Sequence, residues 1–302
     1  MANFEMNKSD AAPRQKATQQ YFKSVQDSSW LIKFCFILLG LLIAVALLAP
    51  LLAPHDPNAQ SLLSRLRPPI GFDRYKEGFL VGTDELGRDL LSRLLYGLRF
   101  TLLIAVIGSI ISMIIGSVIG IISGFVGGIV DNLLMGLVDI QIAFPFTLMA
   151  LLAVAVFGTD LTIFVIIIGL ADWDKYARVV RGQIIAIREA PYIDAVRVTG
   201  AGPYRIIRHH MLPNIASPII VLWTFGVSNV ILLESSLSFL GLGVQPPTAT
   251  LGSMTGFGRD YLASYPHIGL APALMILVIA LVFLLLGDWL RDTLDVRLKR
   301  QT

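Results

Sequence analysis

Five stretches of this chain carry no charged side chain at all: 34–53, 100–130, 140–159, 211–233 and 268–287. Each is long enough to cross about 30 Å of hydrocarbon at about 1.5 Å per residue. Only elements that satisfy their own backbone hydrogen bonds tolerate that environment. The chain is therefore expected to be an all-α polytopic membrane protein. Composition follows from the same runs: 55% of the 302 residues are hydrophobic and 15% are charged, against about 25% charged in soluble domains.

A sixth span is expected where "LTIFVIIIGLA" runs on into "DWDKYARVVRG". The six expected spans are 31–53, 99–124, 133–157, 161–180, 216–240 and 269–288. The first is expected to end at Pro50 or Pro54. The polar start is too long, and the apolar run behind it too long, for a cleaved signal peptide. With an inward N-terminus, 16 of the 24 Lys and Arg lie on the inner side, which favours both termini inside. The expected organisation is an inner tail 1–30, a first span 31–53, an outer loop 54–98, a five-helix core 99–290 and an inner tail 291–302. The core contains an inner loop at 182–215.

The net charge of +3 does not argue for nucleic acid. Cys35 is the single cysteine, so neither a disulfide nor a cysteine metal site forms within the chain. His55, His209, His210 and His267 are scattered apart from one adjacent pair whose side chains diverge on a helix, and no metal site or cofactor is expected. No Ser-His-Asp set or carboxylate pair reads as catalytic.

Gly108, Ser112, Gly116, Gly120 and Gly124 recur every four residues. Such a ladder lets another helix approach closely, because packing drives helix association in lipid. Its sharper reading is a backbone surface lining a pore. Asp131, Asp139, Asp172, Asp174, Glu234 and Asp288 lie in or near spans. Asp139 and Glu234 fall deepest and are the candidates for a pathway. In the outer loop, Lys and Arg at 65, 67, 74, 76, 88 and 93 are balanced by Asp56, Asp73, Glu77, Asp84, Glu85 and Asp89, which reads as a solvated surface or a docking surface. Thr83 or Asp84 suits a helix N-cap. The stretch 244–267 lacks a regular period and reads as a re-entrant or interfacial piece.

The polar segment "YIDAVRVTGAGPYRIIRHHMLPN" (192–214) stands between apolar runs. Tyr192, Ala195, Val196 and Thr199 fall on one helical face. Gly200-Ala201-Gly202 ends that helix, Pro203 opens a second, and Pro213 is expected to end it. The apolar face is too small for a core, so it must meet lipid or another protein.

This segment resembles the inner-loop motif of binding-protein-dependent ABC importer permeases. Their pattern is Glu-Ala-Ala, three residues, Gly, nine residues, Ile, one residue, Leu-Pro. Here it reads Asp194-Ala195-Val196, Gly200 and Leu212-Pro213, with His210 in the Ile slot. "GTDELGRDLLSRLLYGLRFTL" (82–102), "LESSLSFLGLGVQPP" (233–247) and "GDWLRDTLDVRLK" (287–299) resemble the dipeptide/oligopeptide/nickel group, the C-type subunit. Where that group has Trp-Gly, this chain has Leu251-Gly252. The resemblance covers roughly residues 30–300.

The resemblance implies a six-span permease that hydrolyses nothing itself. It implies a path shared with a second, homologous permease, two cytoplasmic ATPases, and a periplasmic or lipid-anchored substrate-binding protein. Tyr192, Asp194, Ala195, Val196, Gly200, Ala201, Leu212 and Pro213 would then contact an ATPase groove. Peptides are the implied substrates, with nickel chelates or other small solutes as alternatives. The chain has no Gly-x4-Gly-Lys-Ser/Thr phosphate loop. An ion-coupled carrier or a scaffold are the readings from other classes.

Overall fold

The computed structural model describes residues 28–294, and within them every regular element is helical. The expected tails fall largely outside the described residues. The helices are α1 (Trp30–Leu52), α2 (Leu90–Val126), α3 (Gly128–Ala143), α4 (Phe146–Phe157), α5 (Leu161–Gly169) and α6 (Trp173–Arg188). They continue as α7 (Pro191–Val198), α8 (Pro203–Ile206), α9 (Leu212–Phe239), α10 (Leu251–Gly258) and α11 (His267–Leu294).

Four stretches are long and apolar enough to cross a membrane: α1, α2, Pro203–Phe239 and α11. The expected span 133–157 is broken: α3 and α4 meet at an 89° bend. Phe144 is extended and Pro145 caps α4, because the residue before a proline is driven out of the α region. Counted as one bent span, the pair would bring the described crossings from four to five. The expected span 161–180 is likewise not one helix. α5 is nine residues long, about 13 Å, and the chain turns at Leu170–Asp172 before α6. α6 is amphipathic: Tyr176, Ala177, Val180 and Ile184 are buried while Lys175, Arg178 and Gln183 are exposed. Lys175 pairs with Asp172 at 2.7 Å across the break.

α1 ends beside Pro54, one of its two expected ends, and the start of α2 differs from expectation for a local reason. α1 runs past Pro50 to Leu52, with Ala53 N–H still bonded to Ala49 O at 3.0 Å. α2 starts at Leu90 rather than 99. Its N-cap is Asp89, which accepts from Ser92 N–H at 3.0 Å, and not Thr83 or Asp84.

Asp84 is buried instead, and folds the preceding turn. It accepts from Leu86 N–H and Arg88 N–H, both at 2.9 Å, and from Arg88 Nε at 2.6 Å. Arg93 Nε approaches it at 3.3 Å and Glu85 binds Arg88 at 2.9 Å. This part of the 54–98 loop is thus an internal ion cluster, not the solvated surface expected of balanced charge. Its two arginines and Asp84 are all buried, and the pairing offsets the cost of burying them.

The small-residue ladder forms the central seam. Gly108 and Ser112 face α5, and Ser112 Oγ donates to Gly169 O at 2.7 Å. Gly116, Gly120 and Gly124 face successive turns of α6 at Trp173–Tyr176, Ala177–Arg181 and Arg181–Ile184. A methyl placed on Gly120 would lie 2.6 Å from Ala177 O, and one on Gly124 2.9 Å from Arg181 O. The two helices therefore touch backbone to backbone. α10, closed by a Thr250–Ser253 capping box, packs among α2, α9 and α11. It is the ordered content of the stretch that lacked a period.

Candidate functional site

The segment 192–214 forms a small platform at the α6 end of this seam. α6 stops at Arg188, and Pro191 sets the first turn of α7, a position where its missing N–H costs nothing. Ile193 is 0% exposed. It packs in one cluster with Val180 and Ile184 of α6, Ile206 of α8, Met211, and Ile215 of α9. Sequence periodicity singled out Tyr192, Ala195, Val196 and Thr199. The structure splits that face: Val196 turns toward the cluster, while Tyr192, Ala195 and Thr199 stay exposed. Ile193 and Ile206 are the anchors, and with α6 and α9 in view the apolar side of the pair covers its own chain.

The turn between the two short helices needs a left-handed residue. Gly200 has φ +82°, with Gly200 N–H bonded to Arg197 O at 2.9 Å and Ala201 N–H to Val196 O at 3.3 Å. Nothing lies within 4 Å of where a Cβ would sit. The demand for glycine here is conformational, not steric. Ala201 packs at the edge of the buried cluster.

Pro213 does not end the second helix. Residues Ile207–Met211 widen into a π turn that leads without a break into α9. Leu212 N–H bonds to Ile207 O, five residues back, and the enlarged turn leaves room for a proline ring that an α turn would reject. Asn214 Nδ2 donates to His210 O at 2.6 Å and approaches Tyr192 Oη at 3.5 Å, tying α7 to the base of α9. Leu212 and Pro213 are exposed on the same platform.

Around the buried anchors stands an exposed patch. Val198 is 88% exposed and Tyr204 71%. Tyr192 and Leu212 are also uncovered, among Arg197, Arg205, Arg208 and His209. Asp194 is exposed and pairs with Arg197 at 3.1 Å, a surface contact worth about 0–1 kcal/mol. Apolar and aromatic side chains thus stand exposed on a packed base amid cations.

Behind the platform, Arg188 Nη1 donates to Phe125 O at 3.2 Å. Arg181 binds Asp131 with two hydrogen bonds of 2.6 Å, and Ser123 Oγ donates to the same carboxylate. That triad joins α2, α3 and α6. Asp131 read in the sequence as an ordinary span end. Its partner stands fifty residues away, and no local pattern points to it.

The Asp139 side chain, on α3, is 68% exposed and binds Arg178 of α6 at 2.5 Å. Leu133, Leu137 and Ile140, on another side of α3, are uncovered as well. Glu234, on α9, is 0% exposed. Ser238 Oγ donates to it at 2.8 Å, and the Thr250 and Thr101 side chains also reach the carboxyl. Leu251 N–H in turn donates to Thr101 Oγ1 at 3.0 Å. Glu234 thus sits in a closed knot joining α2, α9 and α10, whereas Asp139 lies on an open face. Among the described residues, no group of three His, Cys, Asp or Glu could hold a metal ion.

A family model described as the binding-protein-dependent transport system inner membrane component matches residues 116–300, which contain the seam's lower half, the platform and Glu234. The chain belongs to this family. A second model, the N-terminal TM domain of oligopeptide transport permease C, matches residues 29–69. The chain is 41% identical to the Di/tripeptide transport system permease protein DppC of Pseudomonas aeruginosa, over 86% of each chain. It is 36% identical to the Dipeptide transport system permease protein DppC of Haemophilus influenzae, over 96% of this chain and 97% of the relative. It is also 36% identical to the Glutathione transport system permease protein GsiD of Pectobacterium atrosepticum, over 86% of this chain and 84% of the relative. Among solved structures it resembles the inward-facing MetNI methionine ABC transporter. The TM-score is 0.54 and the identity 19%, over 68% of this chain and 96% of that one, a likeness of fold. The chain is therefore a multi-pass permease subunit of the ABC importer class.

Proposed function

We propose that this permease passes peptides across the inner membrane, driven by ATP that partner subunits hydrolyse. The relatives named for di- and tripeptides support the substrate class, and the relative named for glutathione keeps it to small peptide-like solutes. A second permease completes the path, two ATPases bind the platform from the cytoplasm, and a substrate-binding protein delivers the solute from the other side. Both termini are then cytoplasmic, and Asp139 on its open face is a candidate lining residue.

The observation that carries this reading is the construction of the platform. Val198, Tyr204 and Tyr192 are exposed, while Ile193 and Ile206 root the same two short helices in α6 and α9. α6 is close-packed along α2. A push on the patch therefore moves a rigid unit rather than a loop. Nucleotide-dependent contacts on that unit can bias two arrangements of the bundle, which is how a remote ligand drives a conformational change.

The test is Val198→Glu in the assembled importer. It leaves the buried anchors untouched and puts a carboxylate on the patch. We expect normal membrane insertion, with ATPase stimulation by the loaded binding protein and peptide uptake both strongly reduced. Full ATP-coupled uptake by this variant would remove the platform from the coupling role. Uptake by the chain alone in proteoliposomes under an ion gradient would establish a secondary carrier instead. A reporter fused after Arg188 is expected on the cytoplasmic side.

A further inference from the structure

A groove of about 740 Å³ runs between α1, α2, α9 and α11. Its size falls within the range of about 300–1,000 Å³ typical of small-ligand sites. The walls are apolar, among them Leu39 and Ile43 of α1, Leu103 and Ile107 of α2, and Phe283 of α11. Along α1 the lining extends from Phe36 to Leu47, about 16 Å at the helical rise. That is about half the thickness of a ~30 Å hydrocarbon core, along the middle of α1.

The two ends of the groove differ. Phe36 meets Trp289 edge-on at 5.2 Å near the start of α1. At the opposite end, where α2 enters, stands Arg99, the one charged residue among those lining the groove. It has no hydrogen bond, ion pair or ring contact with any described residue. α2 has 37 residues, about 55 Å, well beyond the hydrocarbon thickness. Its first turns leave the buried ion cluster of Asp84, Arg88 and Arg93 and pass α10 at Gly97. Nine residues of α2 precede Arg99 and the uncharged run 100–130 follows it, so Arg99 marks the start of the uncharged part of α2. An unpaired guanidinium there calls for an anion. Its planar fork matches a phosphodiester with two hydrogen bonds.

We propose that this groove holds an acyl chain of an anionic phospholipid whose phosphodiester is bound by Arg99. A transmembrane helix of another subunit laid in the same place would cover the cation with apolar surface and leave it unpaired, which is costly. The lipid satisfies both the apolar walls and the charge. Bound there, it would brace α1 against the core helices and so join the N-terminal helix to the permease bundle.

The test is native mass spectrometry of the full-length chain, purified with the subunits that accompany it, during titration with phosphatidylglycerol or phosphatidylethanolamine. Wild type is expected to retain one phosphatidylglycerol in preference to phosphatidylethanolamine. Arg99→Gln should weaken that retention about tenfold, the low end for a hydrogen bond to a charged group, and Arg99→Lys should restore part of it. Ile43→Trp fills the groove with Arg99 intact and should also abolish retention, so the test survives a poorly folding Arg99→Gln. Equal retention by wild type and Arg99→Gln, or no preference between the two lipids, overturns the proposal. Displacement of the lipid by inorganic phosphate would show a free-anion site. A disulfide from Leu103→Cys to a cysteine in the second permease would show that protein, not lipid, covers the groove.

Discussion

Gly120→Ala is the sharpest probe of the seam on which the architecture depends. The added methyl would lie 2.6 Å from Ala177 O, 2.8 Å from Val180 Cβ and 3.0 Å from Arg181 N–H nitrogen. Ordinary contact begins at 3.4 Å, so the shortfall against the Ala177 carbonyl is about 0.8 Å, within the range where the Lennard-Jones wall is steep. The obstacle is helix backbone, which cannot rotate aside as a side chain does. α6 must retreat as a whole, and overpacking of this kind costs about 1–3 kcal/mol. Against that, alanine gains about 1 kcal/mol over glycine in a helix interior. Gly182 on α6 and Gly136 on α3 serve as controls, because nothing lies within 4 Å of a methyl at either. Gly182→Ala should leave stability unchanged or raised, and Gly120→Ala should fall below it by about 1–3 kcal/mol. Thermal unfolding of the detergent-solubilised complex, followed by fluorescence-detected gel filtration, reads this as a midpoint lower by at least about 2 °C. A Gly120→Ala protein as stable as Gly182→Ala would refute the reasoning, since the α2–α6 separation could then not be set by backbone contact.

The remaining predictions concern the platform and its brace. At Gly200 the constraint is φ alone, so Gly200→Ala should cost about 1 kcal/mol and uncouple uptake from ATP hydrolysis, whereas Gly200→Asn should keep most of both. ATPase and uptake measured on one preparation of each variant decide it, and equal behaviour of the two substitutions would contradict the φ argument. Asp131→Asn removes the charge and one of the two acceptor oxygens of a two-pronged arginine contact and should destabilise the bundle by about 1–3 kcal/mol. Arg181→Lys should lose most of the same amount, because an ammonium cannot make both bonds in one plane; full stability of the lysine variant would assign the pair no structural weight.

How far the sequence carried the architecture depends on the range of each interaction. The uncharged runs located α1, α2, α9 and α11, since length and apolarity are properties of a segment by itself. The four-residue ladder from Gly108 to Gly124 announced a close helix neighbour for the same reason, though not that α5 and α6 would share it. Expectation fails where a distant partner alters a local rule. Asp84 looked like a cap and a solvated charge; Arg88 and Arg93 fold over it and make it the centre of a buried cluster. Asp131 looked like a span end until Arg181 closed on it. Pro213 looked like a stop, and the π turn at Ile207–Met211 carries the helix through it.

The platform shows the same division within a single helix turn. Period alone ranks Tyr192, Ala195, Val196 and Thr199 together, because it records which residues share a face and not what that face meets. Once α6 and α9 lie beside α7, Ile193 becomes the deepest residue and Val198 the most exposed, and neither stood out in the pattern. The family-like motif stays recognisable in this segment because its Gly200 encodes a backbone conformation that most other residues adopt only with strain. A motif built on such a position stays legible when its neighbours vary, as Asp194, Val196 and His210 do here. On the proposed docking surface, contact specificity would then rest with the exposed Val198, Tyr204 and Tyr192.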